Sequence, residues 1–237
     1  MKAVAIITAR GGSKRIPRKN IKDFLGKPII AYSILAALES GCFDEVMVST
    51  DDQEIADVAR QYGACVPFLR AAETSNDFAT TEDVLVEVLA EYEKRGTQFS
   101  KGCCIYPTAP FVTAEKLKAG YNELIRLDVD SVFPVVRFSY PIQRALKIED
   151  GLVSMIWPEH LYTRSQDLMP AYHDSGQFYW FDVPRFHISK NLFSERAAPI
   201  EVPESEVQDI DTIEDWKVAE MKCRMLIAGR IHEAEKI

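Results

Sequence analysis

Short runs of buried-strand character alternate with helix-length amphipathic segments along most of this chain, and few folds accommodate that rhythm. Residues 3–7 are apolar and stop at Thr8. Pro28 stands at a good first-turn position for a helix on which Ile30, Ile34, Leu35 and Leu38 recur, and Gly41 supplies its stop. Residues 45–50 have a second strand pattern. Asp51 or Asp52 caps the next helix, whose apolar face is Ile55, Val58, Ala59 and Tyr62, closed by Gly63. Residues 65–68 predict a short third strand that Pro67 demotes to an edge or a strand end. Thr80 and Thr81 can cap a helix carrying Val84, Leu85, Val88 and Leu89, and residues 102–106 read as a central strand ended by Pro107. Thr113 opens a helix through Leu117, Tyr121, Leu124 and Ile125. Strand patterns follow at 131–136 and 176–181, and a last helix begins near Thr212 with Trp216, Ala219, Met225 and Leu226. The expected architecture is α/β: one domain over residues 1–237 with a doubly wound, mostly parallel, Rossmann-like sheet and short right-handed connections.

The rhythm breaks over residues 137–175. That stretch is rich in aromatics and prolines (Tyr140, Pro141, Trp157, Pro158, Tyr162, Pro170, Tyr172) and lacks a long amphipathic helix. It predicts an inserted hairpin arm rather than a linker.

At 237 residues with 47% hydrophobic and 27% charged side chains, the chain has the make-up of a folded globular protein. A formal charge of −8 argues against a nucleic-acid partner, because phosphate-backbone binding needs a broad basic face. No apolar run approaches the roughly 18–20 residues that span a bilayer. Met1 and Lys2 lead straight into a strand-like run, so no secretory segment is expected. Five cysteines (Cys42, Cys65, Cys103, Cys104, Cys223) have no zinc-type spacing and read as reduced thiols of a cytoplasmic protein.

Against this acidic background, Arg10, Lys14, Arg15, Arg18 and Lys19 fall within ten residues of the loop after the first strand, beside Gly11 and Gly12. In open α/β sheets, ligands bind outside the carboxyl ends of the strands. The glycines would let backbone N–H groups approach a phosphate, and the cations would add charge. A Walker loop needs Gly-x4-Gly-Lys-Ser/Thr and a dinucleotide fingerprint needs Gly-x-Gly-x-x-Gly. Neither is present, which disfavours an NAD-type oxidoreductase. The bland alternative is a solvated basic loop.

Asp209-x-Asp211 precedes the last helix. If Ile210 points into the core, both carboxylates face one side, an arrangement suited to Mg²⁺, which fills most of its shell with phosphate oxygens and water. Helix capping by Thr212 and Asp215, with Asp211 in support, is the competing reading.

The run from Ala9 to Lys14, followed by Lys19-Asn20, resembles the signature of the cytidylyltransferases that activate nine-carbon sialic acids. The resemblance continues in order through residues 48–52, 66–70, 107–110 and 209–212. It implies a homodimeric, Mg²⁺-dependent enzyme in which the anomeric hydroxyl of a nine-carbon 2-keto sugar acid attacks the α-phosphate of CTP and pyrophosphate leaves. The product would serve glycan or flagellin glycosylation. Arg10, Ser13 and Lys19 would contact phosphates and Asn20 the ribose, while Arg70 and Thr81 match positions that recognise cytosine. Ala9, Gly11, Gly12, Asp77 and Thr80 complete the implied nucleotide-binding set. Arg10, Lys19 and Asp211 are the implied catalytic residues, and Asp209 joins Asp211 as metal ligand. No side chain stands out as the general base; Asp211 and the metal itself are the alternatives.

The departures lie at the sugar end. Typical sialic acid enzymes have Gln where this chain has Tyr106, Lys at Gln143 and Arg near His173. Residues 172–179, 103–106 and 108–111 are instead similar to the pseudaminic acid branch. Arg164 matches a retained arginine that would hold the sugar carboxylate. His173 either contacts an N-acyl group or is structural. The family's arm at 137–175 crosses to a second subunit. N-acetylneuraminate or legionaminate are the alternative acceptors. A non-catalytic nucleotide-sugar module and a glycosyltransferase are rivals from other classes.

Overall fold

The computed structural model describes residues 2–234, with side chains through residue 228; Met1 and residues 235–237 of the expected domain lie outside the described residues. Seven strands form the main sheet. They are β1 (Ala3–Thr8), β4 (Glu45–Ser49), β5 (Lys101–Ile105), β6 (Ser131–Arg137), β9 (Tyr172–Asp174), β10 (Phe178–Asp182) and β11 (Ala197–Glu201). Two small hairpins lie outside it: β2 (Asp23–Phe24) with β3 (Lys27–Pro28), and β7 (Leu146–Glu149) with β8 (Leu152–Met155). The helices are α1 (Ile29–Ser40), α2 (Gln53–Gln61), α3 (Thr81–Lys94), α4 (Ala114–Leu127), α5 (Val183–Ser189) and α6 (Ile213–Ala234).

The main sheet runs β11-β6-β10-β5-β1-β4, with β9 pairing β6 beyond β10. Strands β4, β1, β5, β6 and β11 point one way; β10 and β9 point the other. Residues 3–7 of β1 are buried because both faces of the sheet are covered. Ala3, Ala5 and Ile7 face the layer of α1, α2 and α4, while Val4 and Ile6 face Val84, Leu85 and Val88 of α3. Close approach is built in at Gly102, where an added Cβ would sit 2.3 Å from Cζ of Phe181, and at Gly120, where it would meet Trp180 at 2.7 Å.

The expected strand at 65–68 shrinks to one parallel bridge, Met47 to Cys65. Pro67 cannot donate to a ladder, so pairing stops there. Pro28 is not in the first turn of α1. It ends β3 with extended ψ and stands at the N-cap. The strand expected from 176 starts at Phe178, since Gly176 turns the chain at φ +62°. Of residues 137–175, Arg137 belongs to β6 and Tyr172–Asp174 to β9 in the main sheet; between them lie β7, β8 and three single turns of 3-10 helix.

Candidate active site

The carboxyl ends of β1, β4, β5, β6 and β11 share one rim of the sheet, a direct consequence of their common direction. The loops leaving β1 and β5 and the segment from Arg70 into α3 enclose a cleft of about 600 Å³. Arg10, Ser13, Lys19, Asn20, Arg70 and Asp77 line it, as do Thr80, Thr81 and Tyr106.

The loop after β1 is fixed by its neighbour β4. Ala9 is buried and donates its N–H to the Ser49 carbonyl at 2.9 Å. Gly11 donates to Asp51 Oδ1 at 2.9 Å, and a Cβ there would lie 2.8 Å from Asp52 Oδ2. The Gly11 amide is thus spent within the protein, and its lack of a side chain serves close packing rather than an open phosphate nest. Around Gly12 there is open space. Arg18 also leaves the expected set: with φ +55° it turns away from the cleft to pair with Asp52 and Glu54. Its hydrogen bonds, together with backbone donors at the start of α2, hold the Asp52 carboxyl down at about 2.

Four loop cations remain on the cleft: Arg10, Lys14, Arg15 and Lys19. Lys19 is the most constrained. Its Nζ donates to the Ile210 carbonyl at 2.6 Å and lies 3.8 Å from Asp211. Burial pulls its ammonium below the usual lysine range, opposed by the charges of Asp211 and Asp209. Asn20 is buried and ties the loop to itself by donating to the Arg10 carbonyl at 2.9 Å.

Arg70 follows the β4 layer and is 8% exposed. Nε donates to Ser49 Oγ at 2.9 Å, and its own N–H donates to the Thr50 carbonyl at 2.8 Å. Desolvation draws its guanidinium below the usual value, with the charge of Asp51 opposing. Among the described residues no carboxylate pairs with Arg70 directly, so a buried cation faces the cleft donating hydrogen bonds to neutral oxygens alone. Thr80 caps α3 in a reciprocal box with Asp83. Thr81, one residue on, places its hydroxyl 3.2 Å from that of Tyr106. Burial raises the Tyr106 phenol.

Asp209 and Asp211 do not line the cleft but stand beside it, where Arg15 and Lys19 of the lining reach Asp211. Asp209 is exposed, Ile210 is buried and Asp211 is partly exposed, so the two carboxylates stand on the solvent side of a buried isoleucine. Capping of α6 does not use them. Asp215 accepts from the N–H groups of Asp211 (3.1 Å) and Thr212 (2.8 Å), and the Thr212 hydroxyl accepts from the Asp215 N–H at 3.2 Å. Asp211 instead pairs with Arg15 at 2.8 Å. Two carboxylates beside a cationic loop fit a divalent ion that draws its other ligands from phosphate oxygens and water. A closed protein cage does not fit, since no group of three or more His, Cys, Asp or Glu able to hold a metal occurs among the described residues.

The residues expected at the sugar do not converge within one chain. Gln143 donates to the Met169 carbonyl at 2.9 Å and leaves Oε1 buried without a partner. Arg164 is exposed and paired with Asp167 at 2.7 Å. His173 lies on β9 with Nδ1 2.8 Å from the Asp174 carbonyl and its ring against Phe138. Only Tyr106 of that set reaches the cleft. Conversely, the cleft contains Asn76, whose backbone carbonyl accepts from Arg10 at 3.0 Å. No side-chain pattern announces a main-chain acceptor.

The family model described as cytidylyltransferase matches residues 4–232. A protein of Campylobacter jejuni named pseudaminic acid cytidylyltransferase is 43% identical over 222 residues, covering 93% of this chain and 96% of the relative. The CMP-N,N'-diacetyllegionaminic acid synthase of Legionella pneumophila is 34% identical over 226 residues, covering 93% and 95%. Among solved structures, CMP:2-keto-3-deoxy-manno-octonic acid synthetase complexed with CTP superposes with a TM-score of 0.67 at 20% identity, over 97% of this chain and 100% of that one, a likeness of fold. With a cationic loop, a desolvated arginine and a carboxylate pair collected on one rim of such a fold, the chain belongs to the cytidylyltransferase family.

Proposed function

We propose that this protein transfers the cytidylyl group of CTP to the anomeric hydroxyl of a nine-carbon 2-keto sugar acid, with pseudaminic acid as the acceptor. The observation that carries the reading is the cleft itself, which loop cations and Arg70 line and whose Arg15 and Lys19 reach out to Asp211 beside it. The likeness to pseudaminic acid cytidylyltransferases over nearly the whole chain supports the acceptor.

In this reading Arg10, Ser13, Lys14 and Lys19 receive the phosphates, and Asn20 meets the ribose. Arg70 donates to cytosine O2 or N3, which only accept, while the Thr81 hydroxyl takes the remaining edge. A bond forms between the anomeric oxygen and the α-phosphorus. The bond from that phosphorus to the β-phosphate bridge breaks, the hydroxyl proton is released, and pyrophosphate leaves. The protein holds the reactants in line and neutralises the charge that develops on the phosphoryl oxygens. Asp209 and Asp211 would hold a divalent cation, Mg²⁺ by its preference for oxygen, which supplies Lewis-acid stabilisation of phosphoryl charge when bound. Lys19 fixes their segment by anchoring the Ile210 carbonyl between the two carboxylates.

Gln143, Arg164 and His173 act at the sugar from the arm of a second copy. The homodimer brings them over the cleft that they do not reach in their own chain. With five free thiols and a CTP requirement, the reading places the protein in the cytoplasm.

Incubation with CTP, Mg²⁺ and a panel of nonulosonic acids tests this. Pyrophosphate release with pseudaminic acid well above that with N-acetylneuraminate or legionaminate is expected. Equal or better turnover of N-acetylneuraminate overturns the acceptor, and nucleotide binding without any pyrophosphate release overturns catalysis.

A further inference from the structure

Two of the four cleft cations, Arg10 and Lys14, share a single carboxylate, while Arg15 and Lys19 meet Asp211. Asp77 accepts from Arg10 Nη1 at 2.8 Å through Oδ1 and from Lys14 Nζ through Oδ2. Each carboxylate oxygen thus holds a different cation, as two oxygens of a phosphate chain would.

Asp77 sits at the tip of the segment joining Arg70 to α3. The base of that segment is anchored by Glu87, which accepts from the Ala71 N–H at 2.8 Å and from the Thr74 hydroxyl. Its far end is set by the Thr80 cap. Between these anchors the tip is held to the rest of the protein by the basic loop: Arg10 takes both the Asn76 carbonyl and Asp77, and Lys14 takes Asp77. The adjoining Phe78 is 93% exposed, so no apolar burial fastens the tip.

We infer that Asp77 is an internal stand-in for a polyphosphate: it latches the 71–79 loop to the basic loop and gives up Arg10 and Lys14 when phosphate oxygens arrive. The inference rests on the reading of the basic loop as a phosphate cradle. Exposed ion pairs are weak and exchangeable, whereas a di- or triphosphate offers several charges and bidentate contacts to the same cations. The exchange therefore favours a polyphosphate over a single carboxylate. The latch opposes binding, and on product release Asp77 returns to the cations and competes with pyrophosphate for them. The contrary role, in which Asp77 stays in place and assists binding, predicts a change of opposite sign.

The test is Asp77→Asn, isosteric and at an exposed position, titrated calorimetrically with inorganic pyrophosphate in the presence of chelator, with cytidine as an uncharged control. Loss of the two exposed pairs is expected to tighten pyrophosphate binding by about threefold to tenfold, with a smaller change for cytidine, which brings no phosphate to the freed cations. Amide exchange in residues 71–79 is expected to rise when pyrophosphate binds the wild-type protein, and to be high in the variant without ligand. Weaker or unaltered pyrophosphate binding by the variant overturns the latch, as does an exchange pattern insensitive to both ligand and substitution. If the wild-type protein binds no pyrophosphate, the phosphate-cradle reading itself fails and the latch falls with it.

Discussion

Asp211 precedes α6 and Asp215 lies in its first turn, and they divide two tasks that the sequence leaves tangled. Asp215 closes the start of α6, so Asp211 is left to face Arg15 and Lys19. Asp211→Asn is therefore expected to cut turnover by about a thousandfold, the scale of a lost electrostatic contact in a transfer step. The fold should survive, because the ion pairs removed are partly exposed and contribute little. Steady-state kinetics beside a thermal melt checks both halves; unchanged activity removes Asp211 from the chemistry. At this scale the charge pattern was enough to gather Arg10 and Lys19 at one cleft, while it left Asp211 between metal binding and helix capping. It was misleading where a partner distant in sequence decides the outcome. Arg18 belongs to the same basic run as Lys19 but meets Asp52 and Glu54, and the Gly11 amide is claimed by Asp51.

At the scale of elements, helix α2 and the Arg18 turn are joined through one group. Asp52 caps the helix at the Ile55 N–H and pairs with Arg18, which lowers its carboxyl from an ordinary 3.8 to about 2. The folded-state value is the depressed one, so the stabilisation is fully present above pH 4 and is lost as pH falls toward 2. Asp52→Asn should flatten the stability profile in that window and lower stability at neutral pH; urea titrations between pH 2 and 7 test it. Strand β5 offers a steric counterpart. Gly102→Ala places a methyl against the Phe181 ring and is expected to cost about 1–3 kcal/mol in chemical denaturation, the range for overpacking. The existence of β5 and β10 follows from their apolar runs, but the reversed direction of β10 does not. A strand buried on both faces between β5 and β6 hides the same side chains whichever way it runs. Residues 65–68 failed as a strand for the opposite reason, because Pro67 removes the donor that a longer pairing needs.

For the molecule as a whole, the arm is the part that its own chain does not bury. Ile148 and Leu152 are each 75% exposed on the β7–β8 hairpin, and Leu161, Tyr162 and Met169 are also exposed. Apolar surface of this kind suits a second copy, whose arm would in turn complete the sugar end of the site. Sedimentation at micromolar concentration is expected to show dimers, with monomers for a variant carrying both Ile148→Glu and Leu152→Glu. A monomeric wild-type protein overturns the shared-site arrangement. The break in periodicity at residue 137 made the arm legible as an excursion. What it covers was not, because among the described residues nothing in the same chain buries Ile148, Leu152, Tyr162 or Met169.

The arm begins and ends across a single rung of the sheet. Arg137 on β6 and Tyr172 on β9 are register partners, so the chain leaves and returns at points about 5 Å apart. Everything between them is a cassette plugged into the rim, and exchanging or resizing it alters no rung among β1, β4, β5, β10 and β11. On the proposed role of the arm, replacing that one insertion would alter which acid is bound while leaving in place the loops that line the cleft.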